Sequence, residues 1–381
     1  MTEPIYLDHC ATTPVDARVL GAMMRYFANH FGNPSSIHRF GAAAREAVER
    51  ARAQVAGLIG AESDEIVFTA GGTEADNLAV LGVALAGVPG RDHIITSAVE
   101  HHAVLNTCRH LEGRGFSVTY LPVDGTGTVD PEEALRAMTD RTLLVTVMHA
   151  NNELGTVEPL AEIAFNARRR GILVHTDAVQ TVGKIPVRVD ELGVDLLSLS
   201  AHKFHGPKGV GALYVRRGTP LAPLMFGGHQ EGGRRTGTEN VPGIVGLGEA
   251  CALAAADLPV QMARLMELRN DLERSILKIA PGARVNGHPF RRLPHVLSVS
   301  FPGVTGDAVV RELDGRGVAA SAGAACTAGE TRISHVIAAA GVPPEYAPGT
   351  VRFSLGRSNT KEELERAVSA LAASLEALKK P

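Results

Sequence analysis

Short apolar runs alternate with amphipathic stretches between residues 65 and 215. Runs typical of buried strands occur at residues 65–69, 93–96, 117–121, 143–148, 172–175, 196–199 and 211–215. Stretches with the spacing of an amphipathic helix occur at residues 19–29, 41–59, 74–86, 103–112, 131–137 and 160–170. This alternation predicts an α/β protein whose mostly parallel sheet is covered by helices on both faces.

The pattern changes after residue 256. It predicts a long amphipathic helix at 261–279, a helix at 307–313, and strands at 295–301 and 351–355. A last helix begins at Thr360, where Glu363 stands at the spacing of a capping box. We therefore expect a large domain formed by residues 15–257 and a smaller α+β domain formed by residues 1–14 and 258–381.

Composition narrows the class of protein. The 381 residues are 45% hydrophobic, and the net charge of −3 comes without a long run of one sign. This gives no electrostatic reason to expect binding to nucleic acid or to an anionic membrane. The N-terminal ten residues lack a basic segment followed by an apolar core, and the longest apolar run, 78–88, is too short to span a bilayer. Four widely spaced cysteines favour a reduced, cytoplasmic protein without structural zinc.

The segment Ser200-Ala201-His202-Lys203 follows an apolar run and leads into a loop with Gly206. Surface lysines normally lie on exposed helix faces, whereas this one ends a predicted buried strand. There its pKa can fall, which suits Schiff-base chemistry. Ser200 and His202 are able to hold a phosphate. The segment therefore suggests that Lys203 carries pyridoxal 5'-phosphate (PLP).

The turn Gly71-Gly72-Thr73 follows a predicted strand and opens a predicted helix. Glycines let backbone N–H groups approach an anion, the start of a helix favours negative charge, and Thr73 adds a hydroxyl. Glycine-rich turns between strands and helices are common, and this one lacks the G-x-G-x-x-G pattern of dinucleotide sites. It therefore favours a phosphate group over a dinucleotide.

Asp177 follows the predicted strand 172–175, and Gln180 comes three residues later. An acid in this position is either the N-cap of a helix or a functional carboxylate. As a functional group, Asp177 would keep a pyridine nitrogen protonated and so make the ring an electron sink. Gln180 would then reach the 3-hydroxyl of the ring.

Three further side chains are candidates beside the cofactor. His101 precedes a helix and could stack on a planar ring and move protons, although a lone histidine is more often structural. Asn152 follows a strand and is a candidate for the cofactor's oxygen or the substrate. Arg352 lies in an apolar strand, where it needs an anion. That anion is either a substrate carboxylate or an internal Asp or Glu.

Cys326 lies in a segment of small residues, 320–330, that has neither helical nor strand periodicity. Cys108 and Cys251, in contrast, fall on the apolar stripes of helical stretches, as structural cysteines do. A cysteine in an exposed loop is a candidate nucleophile that reacts as the thiolate. We therefore expect Cys326, and neither of those two, to be catalytic.

The motifs together resemble one family. GGTEADN, EHHAVL, HTDAVQ, SAHKFHGPKG, RTGTEN and AACTAGE occur in this order, and the chain resembles NifS/IscS-type cysteine desulfurases, which belong to the class V aminotransferase group of fold-type I PLP enzymes. The resemblance extends from Tyr6 to Arg352. It implies a large PLP-binding domain with a mostly parallel sheet flanked by helices, and a smaller α+β domain that carries the catalytic cysteine.

The resemblance also assigns roles to the candidates. Lys203 would bind PLP covalently and remove the Cα proton. The other expected cofactor contacts are Gly72, Thr73, Ser200 and His202 at the phosphate, Asp177 at the ring nitrogen, Gln180 at the 3-oxygen, and His101 on the ring. The expected substrate ligands are Asn33, Asn152 and Arg352. Thr238 matches a threonine that reaches the phosphate of the neighbouring subunit, which implies a homodimer. Cys10 replaces a small residue; we expect it to pack, and its reactivity remains an open alternative.

The implied reaction takes sulfur from L-cysteine, giving L-alanine and a persulfide on Cys326. The sulfur would pass to an acceptor protein, either an iron–sulfur scaffold or another sulfur carrier. No metal is expected. The alternatives are another PLP activity on the same scaffold (selenocysteine lyase, aminotransferase or kynureninase), a cysteine hydrolase without a cofactor, and a non-catalytic binding module. The last leaves Lys203, Asp177 and Arg352 unexplained.

Overall fold

The computed structural model describes residues 3–322 and 333–379. Its strands are β1 (Ile5–Tyr6), β2 (Ile66–Thr69), β3 (His93–Ser97), β4 (Ser117–Leu121), β5 (Thr142–Thr146), β6 (Leu173–Asp177), β7 (Leu196–Ser200), β8 (Gly211–Val215), β9 (Arg284–Asn286), β10 (Val296–Ser300), β11 (Val318–Ala319) and β12 (Thr350–Ser354). Its helices are α1 (Ala17–Ala28), α2 (Arg39–Ile59), α3 (Gly72–Ala86), α4 (His102–Glu112), α5 (Pro131–Ala137), α6 (Leu160–Arg169), α7 (Val189–Leu192), α8 (Val241–Ile279), α9 (Gly306–Gly315), α10 (His335–Ala339) and α11 (Lys361–Leu378).

The central sheet has the strand order β2-β8-β7-β6-β5-β3-β4. β8 is antiparallel to both of its neighbours, and the remaining pairs are parallel. Successive residues of β2 show that both faces are covered: Ile66 and Phe68 join the core that contains α2 and α8, and Val67 joins the core that contains α3 and α4. The predicted α/β fold with a mostly parallel sheet is confirmed.

β2, β3, β5, β6 and β7 run in the same direction, because the antiparallel β8 separates β2 from β7. Their carboxyl ends therefore meet at one edge of the sheet. In open α/β sheets, ligands bind outside this edge. The segments that carry most of the predicted cofactor-binding residues follow these five strands.

A second core unites the two ends of the chain. It contains Ile5 and Leu7 together with residues of α8, β10, α9, β12 and α11. β10 pairs antiparallel with β9 and β12, and β1 pairs with β11. Thr360 and Glu363 form the predicted capping box at the start of α11. The division at residues 257 and 258 falls inside α8, and the assignment of domains stays a prediction.

The amphipathic pattern predicts a helix only from residue 261, and this prediction is wrong because α8 begins at Val241. The first half of α8 packs closely on α2: a Cβ added to Gly248 would lie 2.6 Å from the Cα of Ala51. Small and apolar residues on most sides of this half hide the helical period. Within the described ranges, α8 is the one helix long and apolar enough to cross a membrane, and 56% of its most apolar stretch is buried inside the protein.

Candidate active site

A cavity of about 390 Å³ opens at the carboxyl edge of the central sheet. It brings together ten of the predicted residues, namely Gly72, Thr73, His101, Asn152, Asp177, Gln180, Ser200, His202, Lys203 and Arg352. These residues come from the ends of five strands and from β12. A larger depression of about 690 Å³ lies beside α2 and is lined by none of the predicted residues.

One wall of the cavity is built to receive an anion. The turn between β2 and α3 approaches the neighbouring segment so closely that a Cβ on Gly72 would lie 2.7 Å from Cγ2 of Val179. Gly71 has a φ of 154°, a backbone conformation that side chains disfavour. The fifteen-residue helix α3 then begins at the cavity and presents its positive end.

His202 adds a hydrogen-bond donor to this wall. Its Nδ1 lies 3.1 Å from the hydroxyl of Thr12. Burial lowers the pKa of His202 to about 4, so its ring is neutral at physiological pH. If Thr12 donates to Nδ1, the proton is on Nε2 and can be donated to an anion. Together with the hydroxyls of Thr73 and Ser200, this wall fits a phosphate group.

Lys203 lies in the single turn that follows β7. Its ammonium donates to the carbonyl oxygens of Cys10 at 2.6 Å and Ala11 at 2.9 Å. Gln180 Nε2 donates to the same Cys10 carbonyl at 3.1 Å. Burial lowers the pKa of Lys203, and the positive charge of Arg352 lowers it further. The predicted position of a lysine suited to covalent chemistry is therefore matched by its surroundings.

Asp177 ends β6 and faces a group that was not predicted. One nitrogen or oxygen of each of Asp76, His101 and Asp177 lies within 4.8 Å of the others. Burial, followed by the charge of Asp177, raises the pKa of Asp76 well above its ordinary value. Burial also raises the pKa of Asp177, but His101 and Lys203 oppose this shift. Asp76 therefore holds a proton, and Asp177 is the member of the pair that carries negative charge.

Asp177 and His101 each accept a hydrogen bond from a backbone N–H two residues further on, which is the structural alternative considered for them. One oxygen of Asp177 accepts from the backbone N–H of Val179 at 2.9 Å, as a cap would. His101 is the N-cap of α4, and its Nδ1 accepts from Ala103 N at 3.1 Å. This places the proton of the neutral ring on Nε2. Burial lowers the pKa of His101, and the negative charge of Asp177 opposes this shift.

Arg352 has the internal partner that was the alternative to a substrate. Its guanidinium donates to Asp8 Oδ1 at 2.8 Å and to the carbonyl oxygen of Asn152 at 2.9 Å. The Nε atom is buried and has no partner among the described residues. Asp8 leaves this donor free and holds the guanidinium at the cavity wall.

Four buried or half-buried acids of the cavity wall were not predicted: Asp8, Asp76, Glu100 and Glu153. Two of them could have been found from their positions in the sequence. Asp76 stands four residues after Gly72 and so faces the same side of α3, and Glu100 directly precedes His101. Asp8 has no local signal, because its partner is 344 residues away.

Glu100 is expected to make stability depend on pH. It is fully buried; Oε1 accepts from Ser97 Oγ and Met148 N, and Oε2 has no partner among the described residues. Burial raises its pKa to about 8. The folded state therefore keeps a proton that the unfolded chain releases above its ordinary carboxyl pKa, and stability is lost as the pH rises to 8, by up to about 1.4 kcal/mol per pH unit.

We expect Glu100→Gln, which cannot ionise, to gain stability relative to the wild type as the pH rises from 5 to 8. Urea unfolding at several pH values measures this difference. Glu133→Gln on the exposed face of α5 is the control and should follow the wild-type curve. Parallel curves for Glu100→Gln and the wild type would show that Glu100 is ionised in the folded protein.

Two of the predicted residues that the structure describes do not line the cavity. Asn33 is exposed, and its side-chain oxygen accepts from Ser35 N at 2.9 Å in a local turn, so one chain does not bring it to the site. Thr238 is also exposed and lies outside the cavity lining, as its predicted role across a dimer requires. Cys326 lies outside the described residues.

The residues of the cavity fit PLP. The phosphate has an anion-binding wall, and Lys203 and Asp177 line the same space. Asp76 and Asp177 form a buried acidic pair, and a protonated ring nitrogen would supply the positive charge that such a pair lacks. The carboxyl and imidazole groups are close enough to approach one cation, but a phosphate-binding wall beside a lysine has no use in a metal site.

Comparisons with known proteins agree with one another. The family model described as aminotransferase class-V matches residues 5–367. The chain is 50% identical over 379 residues to cysteine desulfurase IscS of Dictyoglomus turgidum, covering 100% of this chain and 96% of that protein. It is 49% identical to the protein of the same name from Methanosarcina thermophila, covering 95% and 89%. A solved structure of a NifS-like protein superposes with a TM-score of 0.93 at 40% identity, covering 98% and 100%.

Proposed function

The chain belongs to the aminotransferase class-V family, and from this membership we propose that it is a PLP-dependent cysteine desulfurase. It takes sulfur from L-cysteine and releases L-alanine. The observation that carries the proposal is the single cavity in which Lys203, Asp177 and Arg352 meet beside an anion-binding wall. Support for the substrate comes from relatives named cysteine desulfurase and from a structure described as SspA in complex with cysteine, which is 39% identical with a TM-score of 0.81.

The proposal is tested with protein reconstituted with PLP. We expect an absorbance band at about 420 nm, typical of PLP attached to a lysine, and release of sulfide from L-cysteine in the presence of dithiothreitol. A protein that gains no such band is not a PLP enzyme. A protein that gains the band but transaminates L-cysteine without releasing sulfide belongs to the aminotransferase alternative.

Different residues of the chain have different roles in the proposed reaction. Lys203 holds the cofactor and, when freed, removes the Cα proton, for which its lowered pKa suits it. Asp177 holds the proton on the ring nitrogen. His101 moves a proton through the free nitrogen of its ring. When bound, PLP supplies the electron sink that makes loss of the Cα proton possible.

Cys326 is proposed as the acceptor of the sulfur. Its thiolate would attack the substrate sulfur, and the persulfide would leave the site on Cys326. Two other thiols are excluded from this role by their surroundings. Cys108 and Cys251 are fully buried in helices, and burial raises the pKa of Cys108 to about 12 and that of Cys251 further.

Arg352 is proposed to bind the carboxylate of L-cysteine. We expect Arg352→Lys to raise KM and to lower kcat/KM by about 10–100-fold, because a charge-assisted hydrogen bond contributes about 1.5–3 kcal/mol. Arg357→Lys is the matched control, since Arg357 pairs with Asp16 at 2.7 Å, five residues along the chain, and does not line the cavity. An unchanged KM for Arg352→Lys would show that the arginine pairs with Asp8 and does not bind the carboxylate of L-cysteine.

We also propose a homodimer. A stripe of exposed apolar side chains follows α1 and the segment after it, with Met24 56%, Phe27 61% and Phe31 68% exposed. The rings of Phe31 and Phe40 lie 5.9 Å apart, which extends this surface to the start of α2. An apolar stripe of this kind is typical of an interface. A second copy on this surface would account for the exposed Asn33 and Thr238 if they serve the neighbouring site.

Phe27→Glu is therefore expected to sediment as a monomer and to bind PLP about tenfold more weakly, because Thr238 of the second copy would be lost from the phosphate. Phe165→Glu is the matched control: this side chain is also 61% exposed, but it lies on α6. Sedimentation and PLP titration measure the two effects. If Phe27→Glu is still a dimer, the proposed interface is wrong. If it is a monomer with unchanged PLP affinity, the proposal that Thr238 of the second copy binds the phosphate is wrong.

The sulfur is proposed to pass to an acceptor protein in the cytoplasm, either an iron–sulfur scaffold or another sulfur carrier. The free state of Cys10, Cys108 and Cys251 is consistent with a reduced compartment. Transfer is tested by loading the enzyme with radiolabelled sulfur from L-cysteine and following the label to purified scaffold and carrier proteins. Retention of the label on the enzyme with every acceptor would contradict a role in sulfur transfer.

A further inference from the structure

The side-chain nitrogen of Lys203 is docked on residues 10–13, which we call the N-terminal cradle. Nζ donates to the carbonyl oxygens of Cys10 at 2.6 Å and of Ala11 at 2.9 Å. These two residues line the cavity together with the lysine. A lysine nitrogen joined to PLP by a double bond keeps at most one hydrogen and can serve only one of the two oxygens. The docked position therefore belongs to the lysine in its free state.

The start of the cradle is fixed by two side chains from other segments. The backbone N–H of Cys10 donates to Oγ of Ser354 at 2.9 Å, and Nε2 of Gln180 donates to the Cys10 carbonyl oxygen at 3.1 Å. Ser354 is the last residue of β12, the strand that carries Arg352. The strand of the proposed substrate arginine thus also holds the carbonyl that accepts from Lys203.

Thr13 fastens the end of the cradle to the turn that carries the lysine. It is 1% exposed. Its hydroxyl donates to the carbonyl oxygen of His202 at 2.9 Å and accepts from the backbone N–H of His205 at 2.7 Å. Its own backbone N–H donates to the same His202 carbonyl at 2.9 Å. Because His202 and His205 stand on either side of Lys203 in the sequence, one hydroxyl ties both sides of the lysine turn to the cradle.

The backbone of this turn is strained at His205. Its φ is 69°, and among the non-glycine residues of ranges 3–322 and 333–379 only Glu231 shares a positive φ. Such a conformation costs free energy and persists only where the surroundings hold it. Here the N–H of His205 is held by Thr13, and its Nδ1 lies 3.0 Å from the carbonyl oxygen of Pro14. The contacts with residues 13 and 14 therefore maintain the strained turn.

The two carbonyl acceptors also determine what a neutral Lys203 presents to the cavity. A buried ammonium needs hydrogen-bond acceptors, and carbonyl oxygens from any segment would meet that need. A neutral amine has two N–H bonds and one lone pair. When the oxygens of Cys10 and Ala11 accept both N–H bonds, the lone pair is the one open position of the nitrogen. A general base acts efficiently when its lone pair is held within reach of the proton that it removes.

We propose that the N-terminal cradle is the docking site of Lys203 after it leaves the cofactor, and that Thr13 is the residue that positions it for removal of the Cα proton. The proton moves from Cα to Nζ, the electron pair of the C–H bond stays with the substrate, and Nζ becomes an ammonium. The inference rests on the proposed function, in which Lys203 is the base for this proton.

Thr13→Val removes the hydroxyl and keeps the shape of the side chain. With L-cysteine and L-cysteine deuterated at Cα as substrates, we expect kcat to fall about tenfold and KM to stay within about twofold of the wild type. The isotope effect on kcat should be at least as large as that of the wild type, because removal of the Cα proton is the step that slows. Thr13→Ser keeps the hydroxyl and should restore the wild-type values. An unchanged kcat, or a lower kcat with a smaller isotope effect, would overturn the proposal.

Two further variants separate positioning from stability. Thr142→Val is the matched control: Thr142 is fully buried and its hydroxyl accepts from Thr139 N at 2.8 Å, but it begins β5 at the opposite edge of the sheet. It should keep the wild-type kcat and isotope effect even if its melting temperature falls. Ser354→Ala loosens the other end of the cradle and decides the matter if Thr13→Val does not fold. We expect a lower kcat with an undiminished isotope effect, and a wild-type kcat would overturn the proposal.

Cofactor loading gives a readout that does not depend on turnover. Pyridoxamine 5'-phosphate resembles PLP but cannot bond to a lysine, so its affinity reports on the cavity alone. We expect Thr13→Val to bind it as the wild type does and to develop the PLP band at about 420 nm roughly tenfold more slowly. Equal weakening of both processes would indicate a damaged cavity and would overturn the proposal.

These measurements distinguish the inference from the proposed function. A wild type that gains no band from PLP refutes the proposed function, and this inference with it. An active wild type that a folded Thr13→Val matches in kcat and in the rate of band formation refutes the inference alone.

Discussion

Lys203→Ala is expected to lose the absorbance band at about 420 nm and to lower sulfide release by roughly 10³-fold or more, because one side chain both holds the cofactor and removes the Cα proton. The structure explains why no other lysine replaces it. The ammonium of Lys203 is positioned by the carbonyl oxygens of Cys10 and Ala11, whereas Lys184, which is also buried, does not line the cavity.

Lys208→Ala is the control for this change. Lys208 belongs to the same loop, five residues further on, but is exposed and does not line the cavity. We expect this variant to keep both the band and the activity. A Lys203→Ala protein that keeps the band, or that releases sulfide within about tenfold of the wild type, would show that another group carries the cofactor.

Cys326→Ser is expected to keep the cofactor but lose sulfide release, whereas Lys203→Ala loses both. The variant should keep the absorbance band and should still change its spectrum on addition of L-cysteine, because the residues proposed to hold the cofactor do not include Cys326. Sulfide release should fall by roughly 10²-fold or more, since the hydroxyl is a far weaker nucleophile than a thiolate. Absorbance and a sulfide assay with dithiothreitol measure the two effects.

Cys108→Ala provides the comparison, because Cys108 is fully buried and burial raises its pKa to about 12. This variant should release sulfide at the wild-type rate if it folds. Full sulfide release by Cys326→Ser would contradict the desulfurase mechanism but would not contradict the assignment of the cofactor site. Together with the Lys203 result, it separates the chemistry of the cofactor from the chemistry of the thiol.

The cofactor end of the site could be predicted because it depends on local pattern. Thr73, Asp177 and Ser200 each follow a recognisable apolar strand, and parallel strands bring their carboxyl ends to one edge. A correct reading of strand and direction therefore places such residues together without knowledge of distances. The same reasoning identified His101 and Asn152, whose strands β3 and β5 are neighbours in the sheet.

The substrate end depends on contacts that local pattern does not contain. Arg352 meets Asp8 because the N-terminal segment is part of the second core, and a periodicity of 2 or 3.6 carries no information on a partner 344 residues away. The close approach of Asp76, His101 and Asp177, whose polar atoms lie within 4.8 Å of one another, likewise joins one helix turn with two strand ends. Sequence pattern alone therefore identified the charged residue at β12 and left both candidate partners open.

Cys10 is a second residue whose long-range neighbours the local sequence pattern does not reveal. Its type and position suggest packing, and the apolar cluster around Ala150 and Val296 agrees with that expectation. His295, whose Nε2 lies 3.7 Å from the Cys10 sulfur, comes from a segment 285 residues further along the chain. Only the folded arrangement brings this ring to the thiol.

A single-turnover reaction with L-cysteine tests the central claim most directly. The PLP-loaded enzyme is mixed with one equivalent of L-cysteine in the absence of any reducing thiol, and L-alanine and the modified cysteine are quantified in the same sample. We expect one L-alanine for each persulfide, with the extra sulfur on the peptide that contains Cys326. Pyruvate or free sulfide in place of L-alanine, or L-alanine without a persulfide on Cys326, would contradict the desulfurase account.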